Sequence, residues 1–312
     1  CADIIGFHAF DHTRHFLNAT KRVLGVNSHT LQGGLLALNL PEREAIVTMS
    51  HVSIEPDVLD KLLGLSEVHN AAKRIKESHP DRRIIVGIDV CQRLSGGSLK
   101  LAAFDKLLSD YGSNGSKVVL IQRSLRSGTR QGDEETTSAD MRKMVADLNL
   151  RYNTEGDDVV VDYQEVPDMT LNQRIALYLA ADVFLLTSIR DGLNLMPLEY
   201  IYTRKDLSHA GVVVASEFST CSSLLSGSLK VNPFYTLSVA DALDKALKMS
   251  KKECDARRLR DIQFISSHPS ALWTKQIIGD LKHLDVARNK KRNRTANVPM
   301  PLDLEYMLEA YD

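Results

Sequence analysis

No CxxC pair occurs in this sequence. Its four cysteines, Cys1, Cys91, Cys221 and Cys254, are far apart, which argues against disulfides or a cysteine zinc site and reads as reduced thiols of a cytoplasmic protein. No apolar run exceeds strand length, Val183–Thr187 being typical, so no segment is long enough to cross a bilayer. The first residues carry no signal-peptide pattern. Neither sign of charge is in excess: 39 Lys and Arg stand against 40 Asp and Glu, a net charge of −1. That balance excludes general affinity for nucleic acid or membrane surfaces. There is no internal repeat, no low-complexity tract and one tryptophan, Trp273.

What is present is an ordinary globular composition, 43% hydrophobic and 25% charged over 312 residues, enough for two domains or one domain and a tail. The chain opens on Cys1 inside the apolar segment CADIIGF, which reads as part of a longer protein. Residues 2–25 read as a short strand and an amphipathic helix with Phe10, Phe16, Leu17, Val23 and Leu24 at helical spacing. Residues 30–51 read as a hairpin turning over Asn39–Glu44, and a helix begins near Pro56. From about residue 82, Val- and Ile-rich strands (83–89, 117–122, 159–164, 182–188, 211–217) alternate with helices (98–110, 137–149, 171–180, 195–204, 238–249). That alternation is the pattern of an α/β protein with a doubly wound parallel sheet. Residues 251–285 read as helical, and 287–300 (ARNKKRNRTANVPM) as a basic, solvated linker rather than a nucleic-acid patch.

Two stretches carry candidate chemistry. GIDVCQRLSGGSLK, residues 87–100, follows a strand and leads into a helix, as phosphate-cradling loops do. It has no Lys in a phosphate-reaching position, and its one Arg is Arg93. TSIRDGLNLMPLEYI, residues 187–201, places Asp191 and Gly192 at a strand's carboxyl end, where open parallel sheets bind ligands. The amides of Leu193 to Met196 then form a helix N-terminus that can face phosphate oxygens. Glu199, a turn or two in, can accept hydrogen bonds from both hydroxyls of a ribose. Residue by residue, a helix-capping Asp, a turn Gly and a solvated Glu explain the same letters equally well.

As a set, RDGLNLMPLEYI resembles the donor motif of the trehalose-6-phosphate synthases, retaining glycosyltransferases with two Rossmann-like domains (GT-B type). DIIGFHAFDHTRHFLNATKRVLG and SEFSTCSSLLSGSLKVNPFYTLSVADAL resemble two further segments of that family, in the same order and spacing. The resemblance covers nearly all of 1–285 and is nearest to long members in which a synthase-like region precedes a phosphatase-like one. It implies the tail of an N-terminal Rossmann-like domain at 1–80, a complete nucleotide-sugar domain at 81–285, and at 286–312 a linker toward a phosphatase-like domain. It also implies transfer of glucose from UDP-glucose to glucose-6-phosphate with retention, without metal or cofactor, and synthase or phosphatase subunits as partners.

By resemblance, Asp191 is the catalytic-site residue facing the donor glucose hydroxyls. Gly192, Leu193, Asn194, Leu195 and Met196 meet the sugar and pyrophosphate through their amides, and Glu199 takes the ribose. Glu217 and Phe218 flank the site. The family's first loop reads VDRLDYIKG, whose Arg and Lys clamp the donor diphosphate. Here those positions are Val90 and Ser95, while Asp89 and Gly96 are kept. Loss of each phosphate partner costs on the order of several kcal/mol, so the expectation is a weak or inactive synthase, with a regulatory or scaffolding pseudoenzyme as the alternative. Arg93 could reach in only from the Tyr position of that motif. An Arg for the acceptor phosphate is expected among Arg123, Arg126 and Arg130, with Arg126 and Arg130 favoured, although a solvated basic loop fits equally. His8, His12 and His15, at i, i+4 and i+7, could line one helix face as zinc ligands. The family keeps His8 and His15 without metal, and no carboxylate completes the set.

Overall fold

The computed structural model describes residues 2–31, 35–41, 43–111, 117–152 and 159–296, the side chains of 283 and 285–296 excepted. Two sheets organise the chain. The smaller has four strands in the order β1-β4-β3-β2: β1 (Ile4–Phe7), β2 (Ser28–Thr30), β3 (Leu36–Asn39) and β4 (Glu44–Met49). β3 and β4 form the expected antiparallel hairpin, and β1 joins β4 in parallel. Helix α1 (Phe10–Leu24) ends at Gly25, whose φ of 68° is the left-handed conformation that terminates helices. The apolar stripe expected on α1 does not face a core. Phe10, Val23 and Leu24 are exposed, and the buried positions are Thr13 and Thr20. Phe16 instead packs its ring against Phe7.

The larger sheet has six parallel strands in the order β10-β9-β8-β5-β6-β7. They are β5 (Arg83–Val90), β6 (Val118–Leu125), β7 (Val161–Val166), β8 (Val183–Leu186), β9 (Val212–Ser216) and β10 (Leu229–Val231). The chain winds outward from β5 to β7, returns to β8 on the other side of β5, and winds outward again. The direction therefore reverses between β5 and β8, and the crevice beyond their carboxyl ends is where such sheets bind ligands.

Alternation along these buried strands fills two cores. Ile84, Val86, Ile88, Phe184 and Leu186 face one side; Ile85, Leu120, Val183 and Leu185 face the other. The first side is covered by α2 (Pro56–Leu63), α3 (Ser66–Glu77), α6 (Leu171–Ala180) and α7 (Met196–Thr203). The second is covered by α4 (Gly97–Tyr111), α5 (Gln131–Tyr152) and α9 (Thr236–Lys248). Leu59 of α2 and Val68 of α3 share the core of the larger sheet, so the expected division at 80/81 cuts across one hydrophobic core.

After the short α8 (Thr220–Leu224) come helices α10 (Lys251–Ser267) and α11 (Ser270–Ala296), the last of the described elements. α11 brings the two sheets together: Trp273 Nε1 donates to Ser50 Oγ at 3.0 Å, and Ser270 Oγ donates to Glu55 Oε2 at 2.7 Å. The helix runs on to Ala296, so the first part of the expected 286–312 linker is helical, and residues 297–312 lie outside the described residues. No helix among the described residues is long and apolar enough to cross a membrane.

Candidate donor-sugar site

The crevice is built from two loops that touch. β5 ends at Val90, a 3-10 turn covers Arg93–Ser95, and Gly96 closes it with a φ of 70° before α4 begins. A methyl group at Gly96 would stand 1.9 Å from the carbonyl oxygen of Thr187, so only glycine fits. Thr187 Oγ1 donates to the Gly96 carbonyl at 3.0 Å, and Ile189 N donates to Leu94 O at 2.9 Å. The loop after β5 is thus fastened to the loop after β8.

A polar network lies under the first loop. Lys100, one turn into α4, is fully buried and ion-paired to Asp89. Its Nζ also donates to Gln122 Oε1 at 3.2 Å, and Gln122 Nε2 donates to Asp89 Oδ2 at 3.0 Å. A side chain at Gly87 would collide with both Lys100 and Gln122, which explains that glycine. Sequence reasoning overlooked Lys100. The available signal was a lysine i+4 from Gly96 among the apolar positions of α4. Val90 and Ser95 are half-buried and neutral. Arg93 is exposed, its backbone amide bonds Asp133, and it does not line the neighbouring cleft.

Beyond β8, Asp191 is half-buried, with Ser219 Oγ 3.5 Å from its Oδ2. Burial, and then the negative charge of Asp89, push its carboxyl above the usual carboxylate range, while hydrogen bonds from Asn194, Ser219 and the Gly192 amide oppose the shift. A Cβ at Gly192 would meet open space, so no backbone constraint demands glycine there. Met196 N donates to Asn194 Oδ1 at 3.0 Å, which removes that amide from the donors foreseen. The amides of Leu193, Asn194 and Leu195 have no acceptor among the described residues.

Glu199 is not the solvated glutamate of the simpler reading; it is 8% exposed. Thr170 and Gln173 form a capping box that starts α6, placing Arg174 and Tyr178 at i, i+4 on the face toward α7. Arg174 grips Glu199 with two bonds, Nε to Oε2 at 3.0 Å and Nη2 to Oε1 at 2.9 Å. Tyr178 OH adds a third to Oε2 at 3.1 Å. A carboxylate has about four lone-pair sites, so Glu199 keeps roughly one for a ligand.

A cleft of about 840 Å³ opens beside Asp191. Arg190, Asp191 and Leu94 line one wall, Glu217, Phe218 and Ser219 another, and His12, His15 and His51 come from the side of the smaller sheet. Glu199, Arg126 and Arg130 do not line it. Arg126 reaches Glu165 at 3.3 Å, and Arg130 is exposed. Arg123 is tied to Asp162 by two bonds of 3.0 Å, which excludes it as a phosphate ligand. Burial works against the Glu165 charge, but hydrogen bonds from Arg142, Ser138 and Tyr163 outweigh it and hold that carboxyl at about 2. The three-histidine helix face does not form, because His8 precedes α1 and its Nδ1 bonds the Ser50 carbonyl at 3.0 Å. Among the described residues no group of three side chains could hold a metal ion, and Cys91, Cys221 and Cys254 are buried free thiols.

The chain is 32% identical over 294 residues to the UDP-forming alpha,alpha-trehalose-phosphate synthase 5 of Arabidopsis thaliana, covering 90% of this chain and 34% of that protein. It thus spans about a third of the length of that curated relative. Its fold superposes on a trehalose-phosphate synthase from Burkholderia xenovorans in complex with glucose-6-phosphate with a TM-score of 0.83, at 23% identity over 90% of this chain and 61% of the other. It superposes equally well on the N-terminal domain of a Candida albicans trehalose-6-phosphate phosphatase, with a TM-score of 0.81 at 25% identity over 90% and 58%. Residues 1–283 match glycosyltransferase family 20, and the chain belongs to that family.

Proposed function

We propose that this chain is the donor-binding part of a trehalose-6-phosphate synthase-like protein, which takes UDP-glucose into the β5/β8 crevice and transfers glucose to glucose-6-phosphate slowly, with retention. The observation that carries this reading is the fastened pair of loops, Gly96 to Thr187 and Leu94 to Ile189, with Asp191 set at the mouth of the crevice. Asp191 would hold donor glucose hydroxyls. The unpartnered amides of Leu193, Asn194 and Leu195, at the N-terminus of α7, would meet the diphosphate. Glu199, held in place by Arg174, would offer its remaining lone pair to the ribose.

Transfer requires negative charge to build on the departing UDP, and fixed positive groups are what lower that barrier. Val90 and Ser95 supply none. The amides can bind the ground state, but the charge of the leaving group is left poorly compensated, so binding should survive better than catalysis. The same substitutions favour a second reading, a sugar-nucleotide-binding regulatory module that partners synthase or phosphatase subunits. The likeness to a phosphatase's N-terminal domain supports it. Buried free thiols and the absence of a membrane-crossing helix among the described residues are compatible with a cytoplasmic setting under both readings.

Calorimetric titration of UDP-glucose into this chain tests the proposal, with Asp191→Asn as the control. Binding that weakens in the control supports the donor site. A folded chain that takes up no UDP-glucose sinks both readings of the crevice.

A further inference from the structure

The cleft beside Asp191 has little positive charge available for phosphate chemistry. Val90 and Ser95 are neutral, Arg126 is occupied by Glu165, and Lys100 is sealed against Asp89. Among the described residues that line the cleft, Arg190 is the one lysine or arginine. It is exposed, and its guanidinium makes no hydrogen bond or ion pair with a described residue. Its backbone, by contrast, is fixed. Ile189 N donates to Leu94 O at 2.9 Å and Arg190 N approaches the same oxygen at 3.4 Å. Residue 190 therefore lies against the 3-10 turn that ends at Ser95 and next to Asp191. A long, free cation stands within reach of the place where a loop cation is missing.

We propose that Arg190 is the phosphate-binding cation of this cleft, supplying charge that Val90 and Ser95 cannot. The inference rests on the donor-site reading above and adds to it the residue that meets the anion. A planar guanidinium suits a phosphate because two N–H groups can face two oxygens. The phosphate has two possible sources: the diphosphate of a nucleotide sugar in the β5/β8 crevice, or the ester of a hexose phosphate lying toward His12 and His15.

Separate titrations of UDP and glucose 6-phosphate, into the wild-type chain and into Arg190→Gln, Arg190→Lys and Arg93→Gln, decide the matter. The expected result is a loss of about tenfold or more in Arg190→Gln for at least one ligand. Arg190→Lys should recover part of it, and Arg93→Gln should stay within about twofold of wild type. A loss confined to UDP puts the arginine on the donor diphosphate; a loss confined to glucose 6-phosphate puts it on the hexose phosphate. Unchanged affinity of Arg190→Gln for both ligands, in a chain whose UDP-glucose binding is weakened by Asp191→Asn, overturns the role of Arg190 and leaves the donor site standing. Failure of both ligands to bind the folded wild-type chain overturns the inference and the donor site together.

Discussion

Glu199 shows how a single residue can have a plain local signature and an unreadable environment. Its position a turn or two after the RDG stretch marked it as a site candidate. Its partners Arg174 and Tyr178 lie on another helix, 25 and 21 positions away, and nothing in the linear pattern pairs them. The pairing has a stability consequence. Glu199→Ala would leave Arg174, largely enclosed, without its counter-ion, and should cost about 3 kcal/mol in urea denaturation. Glu199→Gln, which keeps one acceptor, should cost less than half of that. Equal and small losses would mean the pair is not as buried as described. Asp261 makes a second prediction. It is 3% exposed and accepts the Gly227 amide at 2.9 Å. Burial pushes its carboxyl up to about 6 from 3.8, against the opposing Gly227 hydrogen bond. With the folded value above the unfolded one, its contribution is fully present below about pH 4 and is lost as pH rises through about 6. A shift of about two units is worth about 3 kcal/mol. The urea midpoint should therefore fall between about pH 4 and 6.5 in wild type. Asp261→Asn, which keeps a carbonyl for Gly227, should flatten that fall.

At the scale of elements, the strands of the larger sheet were legible because both of their faces are buried. β5, β6, β8 and β9 each contain an unbroken run of three or four apolar residues (IIV, VVLI, VFLL, VVVA), and they fall within a few residues of where the pattern put them. β2 and β10, three residues each, are too short to show a period. α5 begins at Gln131, six residues before the apolar spacing starts, because Asp133 and Glu134 favour a helix's first turn without adding hydrophobic signal. The spacing of Phe10, Phe16, Leu17, Val23 and Leu24 marks α1 as a helix, but Phe10, Val23 and Leu24 are exposed, since periodicity says which residues share a side and not what covers it. The loop at 91–96 was recognised by its glycines, yet its fastening to Thr187 is a contact across 91 residues. That fastening predicts the effect of Gly96→Ala. The added methyl meets the Thr187 carbonyl and the φ of 70° is strained for alanine. The loss should be at least about 2 kcal/mol, with UDP-glucose binding lost in parallel. A variant as stable as wild type would contradict the description of the crevice.

For the molecule as a whole, the arrangement of two sheets joined through α11 and the reversal of winding between β5 and β8 put the β5/β8 crevice against a cleft shared by both sheets. The alternation of strands and helices anticipated the parallel sheet, and the resemblance carried by three motifs anticipated the two-Rossmann fold; the joining of the sheets through α11 was not foreseen. The division near residue 80 was not readable, because α2 and α3 follow the smaller sheet in sequence but share the core of the larger. Under the proposed function, the crevice still takes up the donor, while Val90 and Ser95 leave it without the cations that would drive transfer. The most direct test is calorimetric titration of UDP-glucose into the wild-type chain and into the double variant Val90→Arg, Ser95→Lys. The account predicts measurable but weak binding in wild type and at least about tenfold tighter binding in the double variant. A folded double variant that binds no better than wild type would contradict it.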